Sequence, residues 1–273
     1  MICVMLFSVI IELSGQPASY WHHPESAIRG DGLSVNNETN HTFDFFLDRG
    51  WQPYLIANLI YISGAFLLVS LLPKKASLIT IFSFIFGHYF GTSNWLAIRW
   101  HLGVEGPNIY CSVLGLLIVL SAFPTPCPNM DKIIKRLRWV MLGAMLSDTI
   151  NTLIGQPISY WLSPETVHES NSLSRFFLIQ GWPVYFLWNM ILFAGVFWLV
   201  SILPRIWALI CIFSNILGSF NGASCWFFFE WRLGMETPVI FGILLCIILV
   251  LIAFPTTSEK TSGIGFLYNE SSA

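Results

Sequence analysis

Two acidic residues stand inside apolar stretches of this 273-residue chain. Glu12 lies in "LFSVIIELS" and Asp148 in "MLGAMLSDTIN". An ionised carboxylate at membrane depth costs roughly 2.5 kcal/mol or more, so each acid is predicted to face other helices or a wet cavity. Two interpretations stay open: the acids join helices by hydrogen bonds, or they belong to a site for an ion, a proton or a ligand.

Other polar side chains accompany these acids at helical spacing or in the adjoining loops. Asn58 and Asn189, in the next apolar stretches, are natural hydrogen-bonding partners for the acidic faces. A Glu-x-Asn pattern recurs in two loops that are predicted to lie outside the membrane. The predicted ligand-binding or pathway residues are Glu12, Gln16, Glu38, Asn40, Asn58, His88, Asp148, Asn151, Gln156, Glu169, Asn171 and Asn189.

Histidines provide the main argument for an enzyme, which is the less favoured alternative. His88, or the pair His22 and His23, would supply acid–base or metal-binding groups, with Glu38 or Glu105 as the carboxylate partner. The chain has no P-loop, no dinucleotide fingerprint and no HExxH motif, and its six cysteines lack metal-ligand spacing, so no metal site and no particular cofactor are predicted.

The composition predicts a membrane protein. Hydrophobic residues make up 55% of the chain and charged residues only 10%, which argues against a water-exposed surface and leaves the lipid bilayer as the expected partner rather than nucleic acid. Continuous apolar runs near 20 residues favour spanning helices over barrel strands. The predicted spans are residues 1–14, 52–72, 76–98, 107–124, 139–154, 182–203, 206–228 and 238–254.

The positions of lysine and arginine predict the orientation. Basic residues follow the second, fourth, sixth and eighth spans, as at Lys74, Arg136, Arg205 and Lys260. The positive-inside bias assigns these alternate loops to the cytoplasm. Both termini are therefore predicted to be cytoplasmic.

An internal repeat organises the whole chain. The heptad "GQPASYW" at 15–21 recurs as "GQPISYW" at 155–161, and further identities continue at an offset of 131 residues up to "AFPT" at 122–125 and 253–256. Ordered identities that include Trp, Pro and Asn indicate tandem duplication. The predicted fold is an all-α polytopic membrane protein with eight transmembrane helices in two parallel four-helix repeats, 1–124 and 140–256, joined by a cytoplasmic linker, 125–139, and followed by a cytoplasmic tail, 257–273.

Small residues recur at every fourth position in the third span of each half. Such stripes allow two helix backbones to approach closely in lipid, so these residues are predicted to pack against a neighbouring helix. The predicted packing residues are Ser83, Gly87, Gly91, Ser214, Gly218 and Gly222.

These patterns favour a non-enzymatic protein that binds or conducts a small solute or ion between its duplicated halves. The symmetry of the acids and asparagines supports this hypothesis, whereas the uneven distribution of histidine supports the intramembrane or membrane-surface enzyme. A third alternative is a structural subunit whose exposed faces bind other membrane proteins.

Overall fold

The structure, a computed structural model, describes residues 1–23, 45–103, 105–123, 129–227, 231, 233 and 236–253. Within these ranges the chain is helical and has no strand, which confirms the predicted all-α class. The helices are α1 (Ile2–Ser14), α2 (Trp51–Leu71), α3 (Lys74–Asn94), α4 (Glu105–Ala122), α5 (Met130–Ile154), α6 (Ile158–Leu162), α7 (Ser172–Ile179), α8 (Trp182–Ile202), α9 (Arg205–Cys225) and α10 (Glu236–Ala253).

Glycine and proline set the ends of several helices. Gly50 and Gly181 precede α2 and α8 with φ of 107° and 103°, a conformation that residues with a Cβ rarely adopt. Pro73 and Pro204, both extended, precede α3 and α9. Proline lacks a backbone N–H and cannot continue the preceding helix, but its fixed φ suits the start of the next one.

Helix α5 is longer than the apolar pattern predicts. The apolar stretch begins at residue 139, whereas the helix begins at Met130 and includes most of the basic segment assigned to the linker. Lysine and arginine are good helix formers. Met130, Ile134 and Leu137 are buried at helical spacing and anchor the extension.

Helix α9 lies at the centre of the bundle. It packs mainly against α4 and α5, and less extensively against α3, α8 and α10. Its Leu209, Ile212 and Phe213 side chains are fully buried. Helix α10 packs mainly against α3 and then α5, while α1 packs against α3. The last apolar helix of each predicted half, α4 or α10, therefore contacts chiefly the third helix of the other half.

The outer surface of the bundle is apolar. Ile60 and Leu71 on α2 and Trp198 on α8 are more than 60% exposed. Among the residues that the structure describes, four helices, α2, α4, α8 and α9, are long and apolar enough to cross a membrane; α1 and residues 237–253 of α10 are shorter apolar helices. Large exposed apolar faces are unfavourable in water and are what lipid covers. These features indicate a membrane protein.

Candidate ligand cavity

A cavity of about 830 Å³ lies between α4, α5, α8 and α9, and residues 168–171, which precede α7, form part of its wall. This volume falls within the range of small-molecule binding sites. All four helices contribute polar or aromatic side chains. The residues that line the cavity include Ser112, Asp148, Glu169, Tyr185, Asn189, Phe193, Ser214, Asn215, Gly218, Asn221, Gly222 and Trp226.

Two acids line this cavity. Asp148 comes from the last two turns of α5 and Glu169 from the segment before α7. Among the described residues, the wall contains no lysine and no arginine. When ionised, the two acids give the cavity a negative electrostatic potential, which low-dielectric helical walls strengthen.

The carboxylate of Asp148 fits against α9 because residue 222 is a glycine. A Cβ at Gly222 would overlap the carboxylate oxygens. Asp148 is half-buried, and its accessible surface faces the cavity. Within the described part of the chain, no side chain forms a hydrogen bond or ion pair with this carboxylate.

Gln156 fixes the cavity-lining segment before α7. The side-chain Nε2 donates a hydrogen bond to the backbone oxygen of His168 at 2.9 Å, and Oε1 accepts one from the backbone nitrogen of His168, also at 2.9 Å. Gln156 is buried, so these bonds are shielded from water. The two reciprocal bonds hold the segment that carries Glu169 against the end of α5.

The Glu-x-Asn pattern builds the start of α7. Glu169 Oε1 accepts a hydrogen bond from the backbone nitrogen of Asn171 at 2.8 Å. Asn171 Oδ1 accepts hydrogen bonds from the backbone nitrogens of Leu173 and Ser174, as a helix N-cap does. The same side chains thus line the cavity and satisfy a helix end. The first copy of the pattern, with Glu38 and Asn40, lies outside the described residues.

The repeated heptads close the ends of α1 and α5 in the same way. A Cβ at Gly15 would come 2.8 Å from the Trp95 ring, and a Cβ at Gly155 would overlap the ring of Trp226. The glycines therefore let a tryptophan lie directly on the end of each helix. The prolines at 17 and 157 then turn the chain, both with ψ of 154°.

A buried tyrosine follows each of these turns. Tyr20 and Tyr160 are each 1% exposed, and the Tyr160 hydroxyl donates a hydrogen bond to the backbone oxygen of Leu178 at 3.1 Å. Burial raises the pKa of the Tyr160 hydroxyl above its ordinary value. Burial, together with the charges of Glu12 and Asp48, raises the pKa of Tyr20 to about 12. Both tyrosines therefore stay neutral at physiological pH and act in packing.

The acid in α1 has a different environment from the acid in α5. Glu12 accepts a hydrogen bond from the hydroxyl of Tyr54 on α2. Asn58, which the sequence suggested as a partner for this face, donates a hydrogen bond from Nδ2 to the backbone oxygen of Tyr54 at 3.0 Å. Asn189 makes the corresponding bond to Tyr185 at 2.9 Å. Gln16 is buried beside this region.

The histidines that the sequence suggested for an enzyme, His22, His23 and His88, do not line the cavity. His88 is half-buried on α3, with its ring centroid 6.2 Å from that of Tyr61 on α2. His22, His23 and Glu105 are exposed. Asn151 is buried on α5 and does not line the cavity. Among the described residues, no three or more histidine, cysteine, aspartate or glutamate side chains are grouped to hold a metal ion.

Among the small-residue stripes, Ser214 lies at a close approach of two backbones, whereas Gly87, Gly91 and Gly218 do not. A Cβ at Gly87 or Gly91 would meet no atom within 4 Å, and one at Gly218 would meet only Cys111 Sγ at 3.9 Å. The tight approach is at Gly115 of α4, where a Cβ would lie 3.1 Å from the backbone nitrogen of Ser214. Ser83 contacts Cys246 of α10, whereas Ser214, Gly218 and Gly222 line the cavity.

Sequence reasoning missed several polar residues of the cavity. Asn215 and Asn221 line it from α9, and Ser112 lines it from α4. At the repeat offset of 131, the two asparagines correspond to Phe84 and Phe90. The replacement of phenylalanine in the first half by asparagine in the second could have indicated these positions. Residues that both halves share do not reveal such differences.

Comparisons with protein-family models, with curated proteins and with solved structures find no match to this chain.

Proposed function

We propose that this chain is an eight-span membrane protein that binds or conducts a small solute or ion in the cavity between α4, α5, α8 and α9. The observation that carries the proposal is an acidic, polar cavity inside a bundle with apolar outer faces. Polar groups at membrane depth are costly, and they commonly mark a substrate or ion pathway. The eight spans are α1–α5 and α8–α10, with the short helices α6 and α7 at the outer surface.

Tandem duplication is supported by the helix boundaries. Helices α2, α3 and α4 begin and end 131 residues before α8, α9 and α10, respectively. The glycines before α2 and α8 share a positive φ, and the prolines before α3 and α9 share an extended conformation. Chance would not reproduce six helix boundaries at one offset.

The packing supports a site between the two halves. The cavity takes three helices from the second repeat, α5, α8 and α9, and one, α4, from the first. Duplicated membrane proteins commonly bind ligands where their repeats meet.

Contacts at one end of the bundle support the predicted cytoplasmic side. Arg205 donates hydrogen bonds to both carboxylate oxygens of Asp131 at 2.8 and 2.7 Å. The basic starts of α5 and α9 therefore lie together. A single basic surface is what the positive-inside bias predicts for the cytoplasmic face.

We predict that position 132, in the first turn of α5, and position 163, directly after α6, lie on opposite sides of the membrane. Lys132 and Ser163 are both exposed, so a cysteine at either place is accessible. In sealed vesicles of a variant without native cysteines, a membrane-impermeant maleimide should label Ser163→Cys from outside. The same reagent should label Lys132→Cys only from inside. Labelling of both positions from one side would contradict a spanning α5.

We predict that filling the cavity abolishes solute binding. Gly218 lies in its wall with space around it, so the ring of Gly218→Phe would occupy the cavity without displacing backbone. Gly87→Phe is the matched control, because Gly87 is the repeat counterpart and faces open space. Ligand-observed NMR on the purified chain in nanodiscs, with a defined mixture of small cationic, neutral and anionic solutes, measures binding.

At least one solute should bind the wild type and Gly87→Phe but not Gly218→Phe. Thermal unfolding of both variants checks that they are folded. Identical solute binding by all three proteins, or no binding to the wild type, would contradict a ligand site in this cavity.

A further inference from the structure

We propose that the ligand of the cavity is a small organic cation and that Asp148 is its counter-ion. The inference rests on the proposed function and adds the chemical class of the solute. Its starting point is a carboxylate that faces a cavity and has no hydrogen-bonding or ionic partner among the described residues.

Within the described part of the wall, no lysine or arginine serves as a counter-ion for Asp148. Helix α4 contributes Cys111, α8 contributes Tyr185 and α9 contributes Cys225, and all three are neutral when protonated. The segment before α7 adds His168 and a second acid, Glu169. An unpaired carboxylate away from water is unfavourable, and a cationic ligand removes that cost directly.

The first repeat provides an internal comparison. Glu12 on α1 is hydrogen-bonded by the hydroxyl of Tyr54, so this acid is satisfied within the protein. Asp148 corresponds to Ser8, which accepts a hydrogen bond from Thr92 at 2.8 Å. In the first half, the side chain at this position is therefore satisfied by a hydrogen bond between two hydroxyls. In the second half, the same position carries a carboxylate that has no such partner among the described residues.

The wall of the cavity also carries polar side chains at positions where the first half has apolar ones. Asn215 and Asn221 stand where the first half has Phe84 and Phe90. Ser214 Oγ and Asn221 Oδ1 are buried and have no hydrogen-bond partner within the described residues. Oxygen acceptors without donors suit a ligand that brings N–H or O–H groups.

Size and lining favour an organic cation over a bare metal ion. About 830 Å³ is far more than one ion fills, and the described residues offer no cluster of three or more metal ligands. Tyr185, Phe193 and Trp226 line the cavity. Aromatic side chains with a carboxylate are the usual recognition elements for substituted ammonium groups.

The test compares choline with its uncharged isostere, 3,3-dimethyl-1-butanol. Binding to the purified full chain in nanodiscs is measured by ligand-observed NMR in sodium chloride at physiological concentration. Choline should bind the wild type at least about tenfold more tightly than the isostere. Asp148→Asn should remove that preference, whereas Glu12→Gln should retain it, because Glu12 is already bonded to Tyr54.

Gly222→Ala is a second variant that keeps the carboxylate but displaces it. Its Cβ would overlap Asp148, so choline binding should weaken while the isostere is less affected. Gly91→Ala is the matched control, because Gly91 is the repeat counterpart of Gly222, lies outside the cavity wall, and a Cβ there meets no atom within 4 Å.

The outcomes separate this inference from the proposed function. Choline and the isostere could bind equally well, with binding unchanged in Asp148→Asn but lost in Gly218→Phe. This outcome would overturn the assignment of the ligand as a cation, and the cavity would remain a ligand site. Failure of choline to bind the wild type would overturn the inference. This conclusion also holds if sodium ions from the buffer occupy the site in place of choline. The solute mixture then tests the cavity independently.

Discussion

Gly115→Leu is expected to prevent α4 from packing on α9. A Cβ at Gly115 alone would lie 2.6 Å from Ser214 Oγ, 3.1 Å from the backbone nitrogen of Ser214 and 3.3 Å from the backbone oxygen of Ile210. Two of these atoms belong to backbone and cannot rotate away. Overpacking of this kind typically costs about 1–3 kcal/mol, and a leucine at a backbone contact lies at the upper end of that range or above it.

The measurement is the yield of monodisperse protein and the thermal unfolding midpoint in detergent. Gly87→Leu and Gly64→Leu are the controls, since a Cβ at either position meets no atom within 4 Å. Both controls should remain as stable as the wild type. Equal stability of Gly115→Leu and Gly87→Leu would contradict a close approach of the α4 and α9 backbones.

Gly155→Ala is expected to have a comparably large effect through a single methyl group. The added Cβ would overlap the ring of Trp226 and lie 2.9 Å from the backbone oxygen of Asn151. Trp226 is only 8% exposed, so its ring has little room to move. We expect a loss of roughly 1–3 kcal/mol in the free energy of unfolding.

Gly195→Ala in α8 is the matched control for this substitution. No atom lies within 4 Å of its added Cβ, and alanine favours a helix interior over glycine by about 1 kcal/mol. The control should keep or raise the unfolding midpoint, whereas Gly155→Ala lowers it. Gly15→Ala, opposite Trp95, should behave like Gly155→Ala; wild-type stability in both would contradict the packing of tryptophan on these helix ends.

The heptads show how far sequence reasoning extends toward the site. Their repetition indicated a folded element at the end of each first helix, with a polar side chain in a fixed place. The contact between Gln156 and the backbone of His168 joins residues 12 positions apart. No local pattern specifies such a pair, because the partner is a backbone group that every residue carries.

The candidate site was predicted in part. Asp148, Glu169, Asn171 and Asn189 were selected from the sequence, and all four line the cavity. The sequence grouped them with Glu12 and Asn58 because the two halves share a pattern. Hydrogen bonding to Tyr54 distinguishes the two acids, and that contact depends on how α1 meets α2.

The sequence by itself determined the helical class, the approximate extents of the apolar helices and the glycines and prolines at their ends, because these depend on local hydrophobicity and backbone conformation. The small-residue stripes identified only one member of the close approach of two backbones, Ser214 of α9. That approach occurs at Gly115, where α4 crosses α9, while Gly87 and Gly91 face open space. Only the tertiary structure decided this, since a glycine permits a contact but the position of the neighbouring helix determines whether one forms.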